Sequence, residues 1–180
     1  PQLLRETVGS EVEAIQTQVQ RYLALARSAA ASQQRGVQTN VSQVVAPLVR
    51  TLGKIYRDKG LLITMQVPAE LTFAGEHQDL QEMLGNLLDN ACKWAGSEVQ
   101  VTAKREDTAL IIQIDDDGPG VPEAQRAELG KRGKRLDEQT PGTGLGLSIV
   151  TDMAEVYKGR LLFEESSLRG LSARLVFELE

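Results

Sequence analysis

The chain has 180 residues, 41% hydrophobic and 25% charged, enough apolar material for one packed domain with a short appendage. Lys and Arg total 20 against 25 Asp and Glu, a net charge of -5 that argues against a nucleic-acid binder with a basic surface. Short apolar runs exclude a bilayer-spanning helix, a lone Cys92 excludes an internal disulfide, and a lone His77 excludes a multi-histidine metal site and leaves little for a Ser-His triad. The start, Pro1-Gln2-Leu3-Leu4, has no signal-peptide pattern and reads as the beginning of an excised fragment.

Val8, Val12, Ile15, Val19, Tyr22 and Ala26 alternate steps of four and three, the spacing of a coiled-coil seam. This predicts one long N-terminal helix that needs a partner: the following domain, or more sharply a helical hairpin or homodimer arm. Residues 33–40 read as a polar connector ending in a short strand. Val44, Val45, Leu48, Leu52, Ile55 and Tyr56 then mark a helix closed by Gly60. A strand over 61–67 and a short one over 71–74 follow. The spacing of Leu80, Met83, Leu84, Leu87, Leu88 and Ala91 predicts a helix over 78–94. Val99, Val101 and Ala103 alternate, as do Leu110, Ile112 and Ile114, which predicts a hairpin. The stretch 115–144 is rich in glycine and charge, has almost no periodicity, and is too long for a plain connector, so it reads as a functional lid. A third helix over 145–157 and strands over 161–163 and 171–179, joined near Gly170, complete the chain. The expected fold is an α/β (α+β) two-layer sandwich: three helices on one face of a mixed, mostly antiparallel sheet.

Three features carry chemistry. Asn86, Asn90 and Lys93 stand at i, i+4 and i+7 on one helical face. Two neutral amide oxygens and an ammonium suit a magnesium-phosphate group, with hard ligands for the metal and a point charge for phosphate. Asn is a poor helix former, so two of them one turn apart point to a use other than helix stability. In Asp115-Asp116-Asp117-Gly118-Pro119-Gly120, alternation puts Asp116 on the core side at the strand's end, with Asp115 and Asp117 turned toward solvent. A carboxylate so placed needs donors, for which an exocyclic amine is suited, and Gly118 and Gly120 allow a flat base to approach. Gly142, Thr143, Gly144, Leu145 and Gly146 open the third helix and offer its amides to an anion. Lys131, Arg132, Lys134 and Arg135 lie just upstream as a phosphate clamp. Taken singly, each feature is also what a solvated face, a turn or a flexible cap looks like. The ordered set is specific. The glycine spacing is not that of a dinucleotide fingerprint, and no P-loop is present.

With these motifs the sequence resembles the catalytic ATP-binding domain of bacterial sensor histidine kinases, in the superfamily that includes gyrase, the heat-shock protein 90 chaperones and MutL. Residues 86–94 look like the N box, 116–120 like the first glycine box and 142–147 like the second; the wording of N box and lid is similar to PhoQ-type kinases. The resemblance implies a Bergerat fold over 37–180, preceded over 1–36 by part of a dimerisation and phosphoacceptor hairpin whose histidine-bearing helix is missing. It implies ATP and magnesium as ligands, with Asp116 on adenine N6, Asn90 with Asn86 on magnesium, and Lys93, Arg132 and Arg135 on the phosphates. Asn90, Lys93 and Arg135 would be the catalytic set, and Gly118, Gly120, Gly142, Thr143, Gly144, Leu145 and Gly146 would line the nucleotide. Two positions depart from the pattern: Thr140 replaces an arginine found before Pro141 in the family, and Thr143 replaces a glutamine of PhoQ-type proteins. His77 does not match a phosphoacceptor and reads as a surface or capping residue.

The implied activity is transfer of the ATP γ-phosphate to a histidine outside this fragment and onward to an aspartate of a response-regulator receiver domain. The setting would be the cytoplasmic portion of an inner-membrane sensor. A hydrolytic ATPase of the gyrase or MutL kind is the alternative enzyme, with Glu82 as the candidate to activate water. A nucleotide-sensing dimerisation module without chemistry is the third.

Overall fold

The computed structural model describes residues 36–130 and 146–178, together with Val19, Tyr22 and Ala26. Those three are helical and exposed. The rest of the expected N-terminal helix, and the lid residues 131–145, lie outside the described residues.

The elements run in the order β1 (Thr39–Asn40), α1 (Val41–Ile55), β2 (Leu62–Gln66), β3 (Thr72–Phe73), α2 (His77–Trp94), β4 (Glu98–Glu106), β5 (Ala109–Asp116), α3 (Glu123–Arg126), α4 (Gly146–Val156), β6 (Gly159–Glu165) and β7 (Leu171–Glu178). A five-stranded sheet has the order β2-β4-β5-β7-β6, with β2 parallel to β4 and the remaining pairs antiparallel. β1 and β3 form a separate two-stranded pair. Helices α1, α2 and α4 cover one face of the sheet, giving the expected two-layer sandwich.

Local sequence explains the elements. Asn40 caps α1 by accepting the Gln43 amide at 3.1 Å, satisfying one of the donors orphaned at a helix start. The stripe Leu80, Met83, Leu84, Leu87, Leu88 and Ala91 is wholly buried on α2, as its spacing predicts. It meets the alternating side chains Val99, Val101, Leu110, Ile112 and Ile114, which the register sets opposite one another, Val101 facing Ile114. Ile149, Val150 and Met153 of α4 close the same core. At one end Phe73 packs edge-on against Tyr157 and Phe177, with ring centroids 4.9 and 4.8 Å apart. The Tyr157 hydroxyl donates to Asp79 at 2.6 Å, tying the chain just past α4 to the first turn of α2.

The structure differs from or adds to the expectations at several points. Ile55, at the end of α1, is 66% exposed. The irregular stretch begins only after Asp116, and Glu123–Arg126 within it is helical. Asp115 is buried rather than solvated: it sits in a central strand between Gln100 and Ser172 of the flanking strands, and accepts the Gln113 amide at 2.8 Å. Asp117 stays partly exposed, and it is also bonded to backbone, as described below.

Candidate nucleotide site

The two edges of the site are the last two turns of α2 and the end of β5. Antiparallel pairing with β4 places Asp116 opposite Val99, on the face that carries Ile112 and Ile114, and it is only 3% exposed. Its Oδ1 accepts the Gly118 amide at 2.8 Å and the Leu171 amide at 3.2 Å. Among the described residues no donor reaches Oδ2. Burial pushes the Asp116 carboxyl up, the two amides draw it back only partly, and the neighbouring Asp117 and Asp115 add to the rise. A carboxylate in that condition gains from any N–H donor a ligand brings.

The loop after β5 is held by the next acid. Asp117 Oδ1 accepts the amides of Gly96, Ser97 and Glu98 at 2.8 to 3.0 Å, and Oδ2 accepts the Ser97 hydroxyl at 2.6 Å. Slight burial would raise its carboxyl, but these donors outweigh it and hold it well below the usual carboxylate range. The clamp joins the Gly118 loop to the residues that follow α2. Gly118 itself backs onto the Trp94 carbonyl, where a β-carbon would stand 2.5 Å from the oxygen. The end of the N-box helix and the base of the first glycine box therefore adjoin.

Asn86, Asn90 and Lys93 all lie on α2, the first two half-buried and Lys93 exposed. Asn86 donates its side-chain amide to the Glu82 carbonyl at 2.9 Å, which turns its oxygen away from its own helix. That oxygen faces the start of α4: a β-carbon on Gly146 would stand 2.9 Å from it. Gly146 is the one glycine of the second glycine box among the described residues, and its lack of a side chain lets α4 open against α2. Arg132, Arg135, Gly142, Thr143, Gly144 and Leu145 lie outside the described residues. Gly120 has a φ of 68°, a conformation that favours glycine, and abuts the Gly170 carbonyl. His77 is exposed at the start of α2. Glu82 borders a groove of about 450 Å³ with Leu48, Gln78 and Asp89, on the α1 side of α2.

Several residues of this region escape a reading by motif. Leu171 and Gly170 come from the far end of the chain, and only the β5–β7 register brings them over Asp116. A β-carbon on Gly170 would overlap the Asp116 carbonyl, its Oδ1 and the Gly118 amide. Its sequence signal, a glycine before an alternating strand, is that of any turn. Tyr56 reaches α2 from the end of α1 and donates to Asp89 Oδ1 at 2.8 Å.

Comparison with known proteins agrees with this geometry. The family profile of histidine kinase-, DNA gyrase B-, and HSP90-like ATPases matches residues 75–180. The virulence sensor histidine kinase PhoQ of Salmonella typhimurium is 38% identical over 137 residues, 76% of this chain and 28% of that protein. The sensor protein PhoQ of Escherichia coli K12 is 37% identical over the same extent. The chain thus spans a little over a quarter of the length of these relatives. Among solved structures, the mycobacterial sensor histidine kinase MprB has a TM-score of 0.68 at 26% identity, covering 79% of this chain and 97% of that one. The ATP-binding domain of PrrB from Mycobacterium tuberculosis has a TM-score of 0.63 at 28% identity, covering 79% and 95%. With its motifs in order, its sheet and helices in this arrangement and more than half its length matched, the chain belongs to the histidine kinase-, DNA gyrase B-, and HSP90-like ATPase family, and the relatives it resembles here are sensor histidine kinases.

Proposed function

We propose that the chain is the ATP- and magnesium-binding catalytic module of a two-component sensor histidine kinase. Asp116 carries the reading: a buried carboxylate at a strand end, with one oxygen saturated by two amides and the other turned to a place where a purine amine can donate. The glycines at 118, 120 and 170 support it by letting backbone pack closely around this strand end.

In this reading the base lies over the first glycine box and the phosphates extend toward α2 and α4. Lys93 supplies a point charge there, Arg132 and Arg135 close on the phosphates from the lid, and the amides of residues 142–146 add donors at the start of α4. The donor set fits magnesium. The Asn86 amide is oriented by the Glu82 carbonyl with its oxygen outward, and Asn90 lies one turn on from it. Neutral oxygens bind a hard cation without repelling the triphosphate, whose own oxygens complete the ligand set. The metal would neutralise charge on the transferring phosphoryl group.

No general base is required, because phosphoryl transfer depends mainly on positioning and charge neutralisation. The chain's one histidine, His77, sits at the start of α2, eight residues before Gly85 and away from the proposed metal amides. The acceptor is therefore a histidine on the kinase's hairpin, from which the phosphoryl group passes to a response-regulator aspartate. The exposed Val19 and Tyr22 support a helix that pairs with another, within a hairpin or between two copies. In a sensor that crosses the inner membrane, the module would stand on the cytoplasmic side, where ATP is supplied.

The test is a titration with trinitrophenyl-ATP, with and without magnesium, then addition of a histidine-bearing hairpin domain and γ-labelled ATP. Magnesium-dependent binding followed by label on the hairpin histidine is expected. Steady phosphate release without any hairpin, abolished by Glu82→Ala, would replace the kinase with a hydrolase. Binding without transfer would leave only a nucleotide sensor.

A further inference from the structure

The last turn of α2 carries a contact that phosphate binding does not explain. Lys93 Nζ lies 2.6 Å from Asp89 Oδ2, one turn back on the same helix. The other oxygen of Asp89 accepts the Tyr56 hydroxyl at 2.8 Å. One edge of the carboxylate is thus tied to the end of α1, while the other holds the lysine. Lys59, three residues beyond Tyr56, donates to the carbonyls of Cys92 and Lys93 at 2.8 and 2.7 Å. A single corner of the chain, residues 56–59, anchors both the backbone beneath Lys93 and its counter-ion.

Helical geometry makes this contact an alternative to phosphate binding. At about 100° per residue, Asp89 lies about 40° to one side of Lys93 and Asn90 about 60° to the other. The ammonium can swing toward α1, where it is seen, or toward the amide assigned to the metal and phosphates. We infer that Asp89, held by Tyr56, is a counter-ion that competes with the nucleotide's phosphates for Lys93 and thereby sets the affinity of the site for polyphosphate. This rests on the reading of Lys93 as a phosphate ligand.

The contact is of the right strength for exchange. The two side chains are 38% and 39% exposed, so the pair is weak enough for a polyphosphate to displace. Burial, then the bond to Asp89, pushes the Tyr56 phenol up, so it remains a donor and keeps the carboxylate in place. Every nucleotide that recruits Lys93 must take it from Asp89. A pair that served only the helix, as i, i+4 pairs do, would alter thermal stability and nothing else.

The experiment is a magnesium-containing titration of the 180-residue chain with trinitrophenyl-ATP, with thermal midpoints recorded alongside. The variants are Asp89→Asn, Tyr56→Phe, Lys93→Met and the double variant Asp89→Asn/Lys93→Met. Asp89→Asn should tighten binding about two- to threefold, and Tyr56→Phe should tighten it less. The gain should vanish in the Lys93→Met background, and competition by adenosine, which has no phosphate, should be equal in all. If Lys93→Met binds like the parent chain, the phosphate role of Lys93 fails and this inference with it. If Lys93→Met binds weakly but Asp89→Asn binds no tighter than the parent, or tightens equally without Lys93, the counter-ion is overturned and the site reading stands.

Discussion

Gly170 lies directly against Asp116: its amide donates to the Asp116 carbonyl at 3.1 Å, and a β-carbon on it would occupy the space of that carbonyl and of Oδ1. The neighbours are backbone and a buried carboxylate, neither of which can move aside cheaply. The contact comes from the β5–β7 pairing, which sets Asp115 beside Ser172 and so folds the turn before β7 over the end of β5.

Gly170→Ala is therefore expected to cost about 1–3 kcal/mol of stability through overpacking. Displacement of Asp116 should also weaken nucleotide binding beyond what the lost stability explains. Thermal unfolding and a trinitrophenyl-ATP titration on the same sample measure both. Parent-like affinity in a folded variant would separate the turn from the site.

Asp116→Asn tests the adenine contact. The retained oxygen would stay under the Gly118 and Leu171 amides, which places the new NH2 where a purine amine must donate. Two facing donors should lower ATP affinity by at least about tenfold, or ~1.4 kcal/mol, and reduce preference over GTP. Stability should move the other way. The folded carboxyl titrates higher than the unfolded one, so its ionised form is a cost present above the folded pKa and gone below the unfolded pKa. At neutral pH the nucleotide-free variant should unfold at an equal or higher temperature than the parent. A lower midpoint with unchanged ATP preference would refute the assignment.

Asp117 should behave in the opposite sense. Its folded carboxyl titrates below the unfolded one, so its contribution is present above the unfolded pKa of about 3.9 and lost as pH falls through the folded value. Asp117→Asn should cost about 1–2 kcal/mol at pH 7, the worth of charge-assisted bonds at a partly exposed site. Urea unfolding at several pH values would follow the difference, which should shrink as the pH drops below about 4. A gap independent of pH would mean that shape, not charge, makes the clamp.

Asn90→Ala should remove the magnesium-dependent part of nucleotide binding while leaving the thermal midpoint unchanged or slightly raised, since alanine is the better helix former. Isothermal titration with magnesium-ATP and with metal-free ATP resolves the two parts. An unchanged magnesium dependence would move the metal off this helix.

Periodicity made the layers of this protein legible. The stripe on α2 and the alternation in β4 and β5 are burial patterns repeated at 3.6 and 2 residues, and each is set by neighbours close in sequence. The same alternation located Asp116 on the inward face. It misplaced Asp115 and did not foresee the backbone bonds of Asp117, because alternation states which way a side chain points but not what waits there. Asp115 is covered by flanking strands whose order in the sheet is not local information. Asp117 is turned back on residues 96–98, which are close in space only because α2 brings its end beside β5.

Composition and spacing alone thus determined the fold class and the inward acid, and pointed to the amide pair with its lysine and to a glycine-rich helix start. Each depends on the chemistry of a few adjacent residues. Tertiary structure alone decided which groups bond to them: Leu171 and Gly170 on Asp116, residues 96–98 on Asp117, Tyr56 on Asp89 and Gly146 beside Asn86. Those partners lie 19 to 60 residues away along the chain, and hydrogen bonds act over about 3 Å, so only strand pairing and helix packing can bring them into range.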